Sequence, residues 1–183
     1  NNISAILNGS GGLAVNGGTT LLSGVNTYTG GTVISGSTLM LSASGTLGAT
    51  SATTTITNDS TLNLGGTTQV QRRLTMGGCL ATNGVISNTE VLFTAGTNTE
   101  ACSIAGTSSV ISTGGTNTLS GTNNTYTGGT AITNSEIIVA SGSSLGASTN
   151  TLSISSNGYL DMSGGTNAQG SVTLNGGNLL NSN

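Results

Sequence analysis

Nine side chains hold all the ionic and thiol chemistry of this 183-residue chain. They are Arg72 and Arg73, Asp59 and Asp161, Glu90, Glu100 and Glu136, and Cys79 and Cys102. Without histidine or lysine, no Ser-His, Cys-His or Ser-Lys nucleophile can be assembled, because the abundant hydroxyls have no general base. Two cysteines without imidazole are too few soft ligands for a structural metal. A net charge of −3 with two arginines cannot neutralise a phosphate backbone, so nucleic acid is excluded as a partner. Glycoside chemistry needs two carboxyls within about 10 Å of each other. Asp59 and Asp161 are far apart in sequence, and Glu90 and Glu100 have no aromatic platform or base beside them. The chemistry available points away from catalysis, and no cofactor is expected.

The elements that must carry these residues are short. Apolar residues recur as Leu13-Ala-Val15, Leu39-Met-Leu41, Leu62-Asn-Leu64, Val91-Leu-Phe93, Leu152-Ser-Ile154 and Val172-Thr-Leu174, mostly with period two. That period is the strand signal, and the intervening Gly-Gly, Asn-Gly and Ser-Gly pairs are turn formers. No window has helical periodicity, and no stretch approaches the ~20 apolar residues of a membrane-spanning helix. With 4% charged residues and 31 glycines the chain is compositionally unusual, yet its aliphatics are spread from end to end. Such a chain can bury apolar surface, unlike a disordered one.

It also repeats itself. Leu22-Ser-Gly-Val-Asn-Thr-Tyr28-Thr-Gly30-Gly31-Thr-Val-Ile34 returns as Leu119-Ser-Gly-Thr-Asn-Asn-Thr-Tyr126-Thr-Gly128-Gly129-Thr-Ala-Ile132, and Tyr126 lies 98 residues after Tyr28. Leu47-Gly-Ala49 likewise returns as Leu145-Gly-Ala147. The chain therefore divides into one repeat unit over residues 1–98 and a truncated second over 99–183, joined as one continuous solenoid. Repetition of short strands separated by glycine is the signature of a solenoid. We expect an all-β parallel β-helix, with coils of about 20–25 residues. Roughly eight such coils at about 4.8 Å spacing make a rod about 40 Å long. Inward ladders are apolar; outward Thr, Ser and Asn need only be small and polar.

The segment Gly24-Val-Asn-Thr-Tyr28-Thr-Gly-Gly-Thr32, preceded by Leu21-Leu22 and followed by Ser37-Thr-Leu-Met-Leu41, resembles the passenger-associated strand repeat of bacterial autotransporters. The stretch from Leu119 to Val139 resembles it again, and Ile3 to Leu13 is similar to what precedes that repeat. The resemblance implies a right-handed parallel β-helix on the outer surface of a Gram-negative bacterium, serving as an adhesin or surface fibre. These 183 residues include no translocator barrel, signal peptide or protease domain, and the chain opens on Asn1. It thus reads as a mature product or as a segment of something longer.

Within that frame, Cys79 and Cys102 are 23 residues apart, about one coil. A disulfide between stacked coils and two small buried thiols are the alternatives. Arg72 and Arg73 face opposite sides of a strand, so one of them is expected to pair with Glu90 or Glu100. Tyr28, Gly30, Gly31, Tyr126, Gly128 and Gly129 are read as structural turn residues. The expected function is a non-catalytic extracellular structural or adhesive rod. The alternatives are a filament subunit assembling end to end and, behind both, a polysaccharide-active enzyme. Partners would be copies of the chain, flanking β-helix coils, or a host or neighbouring-cell surface. Support for the filament comes from Leu179-Leu-Asn-Ser-Asn183, which reads on naturally into Asn1-Asn-Ile3.

Overall fold

The computed structural model describes residues 1–42, 44–163 and 167–182, and Asn183 therefore lies outside the described residues. Alternation of one apolar and one small polar residue makes strands with one face for the interior and one for water. Among the described residues twenty strands, numbered in chain order, stack into two parallel sheets. The first holds, in spatial order, β1 (Asn2–Ile3), β3 (Thr19–Leu22), β5 (Thr38–Leu41), β7 (Thr61–Asn63), β10 (Leu80–Ile86), β12 (Thr97–Ile104), β14 (Thr116–Leu119), β16 (Glu136–Val139), β18 (Tyr159–Asp161) and β20 (Asn178–Leu180), with β8 (Thr68–Gln69) paired to the far end of β10. The second runs β2 (Leu13–Asn16), β4 (Thr32–Ser35), β6 (Thr53–Thr57), β9 (Arg73–Gly77), β11 (Glu90–Ala95), β13 (Ser109–Ser112), β15 (Thr130–Thr133), β17 (Thr151–Ser155) and β19 (Ser171–Asn175).

The chain alternates between the sheets, so each turn lays one strand on each. This is a parallel β-helix, as expected, but with about nine turns in place of eight. The difference comes from coil length. Asn2 pairs with Leu21 and Leu80 with Thr99, an advance of 19 residues, while Thr38 pairs with Thr61, an advance of 23. Coils are shorter than assumed wherever the corner between the sheets is short. Residues 98 and 99, where the two repeat units meet, lie inside β12, and both sheets run through this point.

Inward side chains from successive coils stack as columns. One column of the second sheet runs Val15, Ile34, Ile56, Met76, Phe93, Ser112, Ile132, Ile154, each paired in register with the next. All are buried, and the largest member, Phe93, is followed by the small Ser112, so volume is traded between neighbouring coils. Each fully buried aliphatic side chain contributes roughly 1.5–3 kcal/mol. That is enough to hold coils together without ion pairs.

The corners are polar inside. Asn26 accepts from the Leu7 N–H (2.8 Å) and donates to the carbonyls of Gly24 and Thr46 (2.8 Å each). Asn124, 98 residues on, accepts from the Ile104 N–H (2.8 Å) and donates to the Ser144 carbonyl (2.9 Å). Each therefore ties three successive coils, satisfying backbone groups that no sheet ladder reaches. Among the described residues, no helix is long and apolar enough to cross a membrane.

Candidate functional site

Each residue singled out for chemistry has a definite place in this frame. Glu90 opens β11 directly opposite Arg73 at the start of β9, and Arg73 Nε lies 2.5 Å from Glu90 Oε1. The contact is a close ion pair, not an aligned hydrogen bond, since Oε1 has no hydrogen-bond donor. Arg73 is 41% exposed, so solvent screens the pair and its contribution is at most about 1 kcal/mol. Arg72 points to solvent and forms no ion pair among the described residues.

Two alternatives left open by the sequence are decided here. Glu100 does not pair with an arginine: it faces inward from β12, fully buried, in the column Leu62, Ala81, Glu100, Leu119, Val139. The disulfide is not formed either, and both cysteines are buried free thiols. At this point of the rod a coil advances 19 residues, so Cys79 stacks beside Asn98, and Cys102 lies four residues further along its strand. Four residues of strand are roughly 13 Å, well beyond the ~7 Å limit on Cα separation for a disulfide. The Cys79 thiol instead donates to the Ile56 carbonyl at 3.3 Å. Burial pushes it up to about 12, and burial raises the Cys102 thiol as well. Both should therefore be inert in the native rod. Without reductant, a thiol-specific disulfide reagent should report two thiols after unfolding and almost none before. Fewer than two in the unfolded chain would contradict this placement.

The repeat-motif residues act as the corner that delivers the chain into the second sheet. Tyr28 and Tyr126 are buried, and their hydroxyls lie 2.6 Å and 2.7 Å from Thr32 and Thr130 Oγ1. Gly31 and Gly129 have φ of 84° and 83°, in the left-handed region. A Cβ on Gly30 would sit 2.6 Å from the Gly12 nitrogen, and one on Gly128 would sit 2.5 Å from the Ser108 oxygen. Each Leu-Gly-Ala segment stacks on this corner one coil later, with Ala49 and Ala147 donating to the Tyr28 and Tyr126 carbonyls at 2.9 Å. The conjunction of the two motifs in the sequence is thus a conjunction in space.

The remaining acids are dispersed. Glu136 accepts from the Thr116 hydroxyl at 3.2 Å across the first sheet. Asp161 ends β18 and accepts from the Ser182 hydroxyl, the Ser182 N–H (3.0 Å) and the Ser163 N–H (2.8 Å). Those donors, the Ser182 hydroxyl foremost, hold its carboxyl below the usual range. Asp59 lies in the turn before β7, five turns from Asp161. Among the described residues, no three His, Cys, Asp or Glu side chains converge.

An interior Asn ladder carries no signal in the sequence. Asn98 accepts from the N–H groups of Gly78 (2.8 Å) and Cys79 (3.1 Å), and donates to the Ala95 carbonyl (2.8 Å) and Asn117 Oδ1 (2.7 Å). Asn117 passes the chain on to the Glu136 carbonyl at 3.0 Å. In a chain so rich in Asn, nothing in the composition marks which ones turn inward.

Two surfaces remain open. The outer faces of both sheets carry runs of threonine in register, such as Thr19, Thr38 and Thr61 on the first and Thr55 and Thr75 on the second, beside the charged Arg73, Glu90 and Glu136 and the exposed Val33 and Met40. The rod ends are apolar. Val172, Leu174 and Leu179 are about half exposed, and a cleft of about 460 Å³ there is lined by Leu145, Leu152, Leu160 and Met162. Ile6 is exposed at the other end, beside a cleft lined by Leu7, Leu13 and Tyr28.

Fold and surfaces together define a parallel β-solenoid protein. No protein-family model, curated protein or solved structure matches the chain.

Proposed function

We propose that the chain is a non-catalytic structural or adhesive rod of a bacterial surface protein, built like an autotransporter passenger and working outside the cell. The observation that carries this reading is the outer surface. Two parallel sheets present runs of Thr, Ser and Asn stacked in register at about 4.8 Å, broken by the Arg73–Glu90 pair, by Glu136 and by aliphatics such as Val33 and Met40. Such a surface offers hydrogen-bonding hydroxyls and little for a trypsin-like protease, and the continuous ladders resist local opening. The repeated Tyr-Thr-Gly-Gly-Thr corner, which resembles the passenger-associated repeat, supports the same reading. The test is twofold. Folded protein should outlast a broad-specificity protease under conditions that digest it once unfolded. Beads coated with it should be retained on mammalian cell monolayers, or on beads coated with the same chain, above an albumin control. Rapid native digestion and no retention on either surface would sink the proposal.

A second reading is axial self-assembly of this 183-residue polypeptide into filaments, through apolar side chains such as Ile6, Val172, Leu174 and Leu179 that these residues alone leave exposed. Averaged electron micrographs separate the two: single short rods support the first, long fibres with a ~4.8 Å axial repeat the second.

A further inference from the structure

Glu100 is an acid inside a hydrophobic ladder, and nothing assigned so far uses it. Its side chain has no exposure to solvent. Ala81 stands directly below it and Leu119 directly above, both buried. One carboxyl oxygen, Oε1, accepts the Cys102 N–H at 2.7 Å, and the other, Oε2, has no hydrogen-bond partner. The Gly121 backbone closes over that second oxygen: a Cβ at Gly121 would come 3.3 Å from Oε2. The titratable groups facing the carboxyl are the Cys102 thiol on its own strand and the Tyr126 phenol from the corner over residues 120–129, both acids. β10 presents Ala81 and β14 presents Leu119, neither of them titratable. No cation is at hand among the described residues, since Arg73 is engaged with Glu90 and Arg72 faces solvent.

A carboxylate taken into such a place without a counter-charge is costly, whereas the neutral acid is tolerated and can donate a proton to a neighbour. We propose that Glu100 is a protonation-operated lock on the central coils: neutral, it completes the inward ladder of the first sheet, and ionised, it loosens β12 and the 120–129 corner stacked on it. Consistent with that geometry, burial raises the carboxyl to about 8. The sign follows from linkage. Between the ordinary carboxyl range and about 8 the folded chain holds a proton that the unfolded chain has released, so raising pH favours unfolding across that window. Stability from this group is complete below the ordinary range and is lost as pH rises through about 8. The rod would thus be tightest in mild acid and loosest in an alkaline medium.

The test is denaturant unfolding of the full chain between about pH 5.5 and 7.5, for wild type and Glu100→Gln. Gln keeps the shape and stays neutral throughout. The wild-type unfolding equilibrium constant should rise by close to tenfold per pH unit more than that of the variant. Native-state hydrogen exchange should localise the difference to β12 and residues 120–129. Equal pH slopes in the two proteins would overturn the proposal. Should Glu100→Gln fail to fold, infrared spectroscopy of the wild type decides. A protonated-carboxyl stretch present at about pH 6.5 and lost by about pH 9.5 sustains the lock, and its absence at the lower pH refutes it.

Discussion

Gly121→Ala is expected to cost about 3 kcal/mol or more, read as a lowered denaturant midpoint with an unchanged slope. The reason is contact, not conformational freedom. A Cβ built there overlaps the carbonyl oxygen of Cys102, a backbone atom that cannot swing aside, and also approaches Glu100. The corner must lift off the coil beneath, taking with it the Ile104 N–H bond to Asn124. Gly11→Ala is the matched control. Nothing lies within 4 Å of the position its methyl group would take, and Gly11 has no positive φ, so that change should be neutral or slightly stabilising. Equal costs for the two substitutions would mean that the corner does not pack as described.

Asn98→Ala should be comparably severe. The change removes one acceptor serving the buried Cys79 N–H and the half-buried Gly78 N–H, and a donor serving the Ala95 carbonyl and the buried Asn117, the next Asn of the ladder. Each buried polar group left without a partner costs roughly 1–3 kcal/mol, so a loss of at least about 3 kcal/mol is expected. Asn98→Leu should not recover it despite a similar volume, because the buried Cys79 N–H and Asn117 Oδ1 would still be unmet. Full recovery by Leu would show that packing, not hydrogen bonding, holds this corner.

The strands and their stacking were legible because period-two alternation and the Tyr-Thr-Gly-Gly-Thr repeat each have one simple physical meaning. Tyr28 and Tyr126 fall on equivalent corners, as their 98-residue spacing requires, and that spacing spans five turns. What was not legible is register. In the second sheet the coil from Arg73 to Glu90 advances 17 residues, and elsewhere coils advance up to 23, so an average coil length cannot say which residues face each other. That is why Glu90 was open to Arg73 but the cysteines were not open to each other. β12 shows the same limit in another form. Its inward set is Asn98, Glu100, Cys102 and Ile104, and its outward set is Thr97, Thr99, Ala101 and Ser103. Neither set is clearly apolar, so alternation alone gave no reason to send a glutamate into the core. Its direction is set by the neighbouring coils, whose Ala81 and Leu119 are unambiguous.

The two sheets do not contain the same number of stacked levels. The first has ten strands along its main path and the second has nine, because β1 and β20 both lie on the same wall. In fibres made from this 183-residue polypeptide, β1 of one molecule seated on β20 of the next continues the first wall but leaves an empty berth one strand deep between β19 and β2 of the second. Averaged images of such fibres would show that berth as a periodic lapse on one face only, and a polypeptide of residues 13–183, whose walls both count nine strands, should give longer fibres without it.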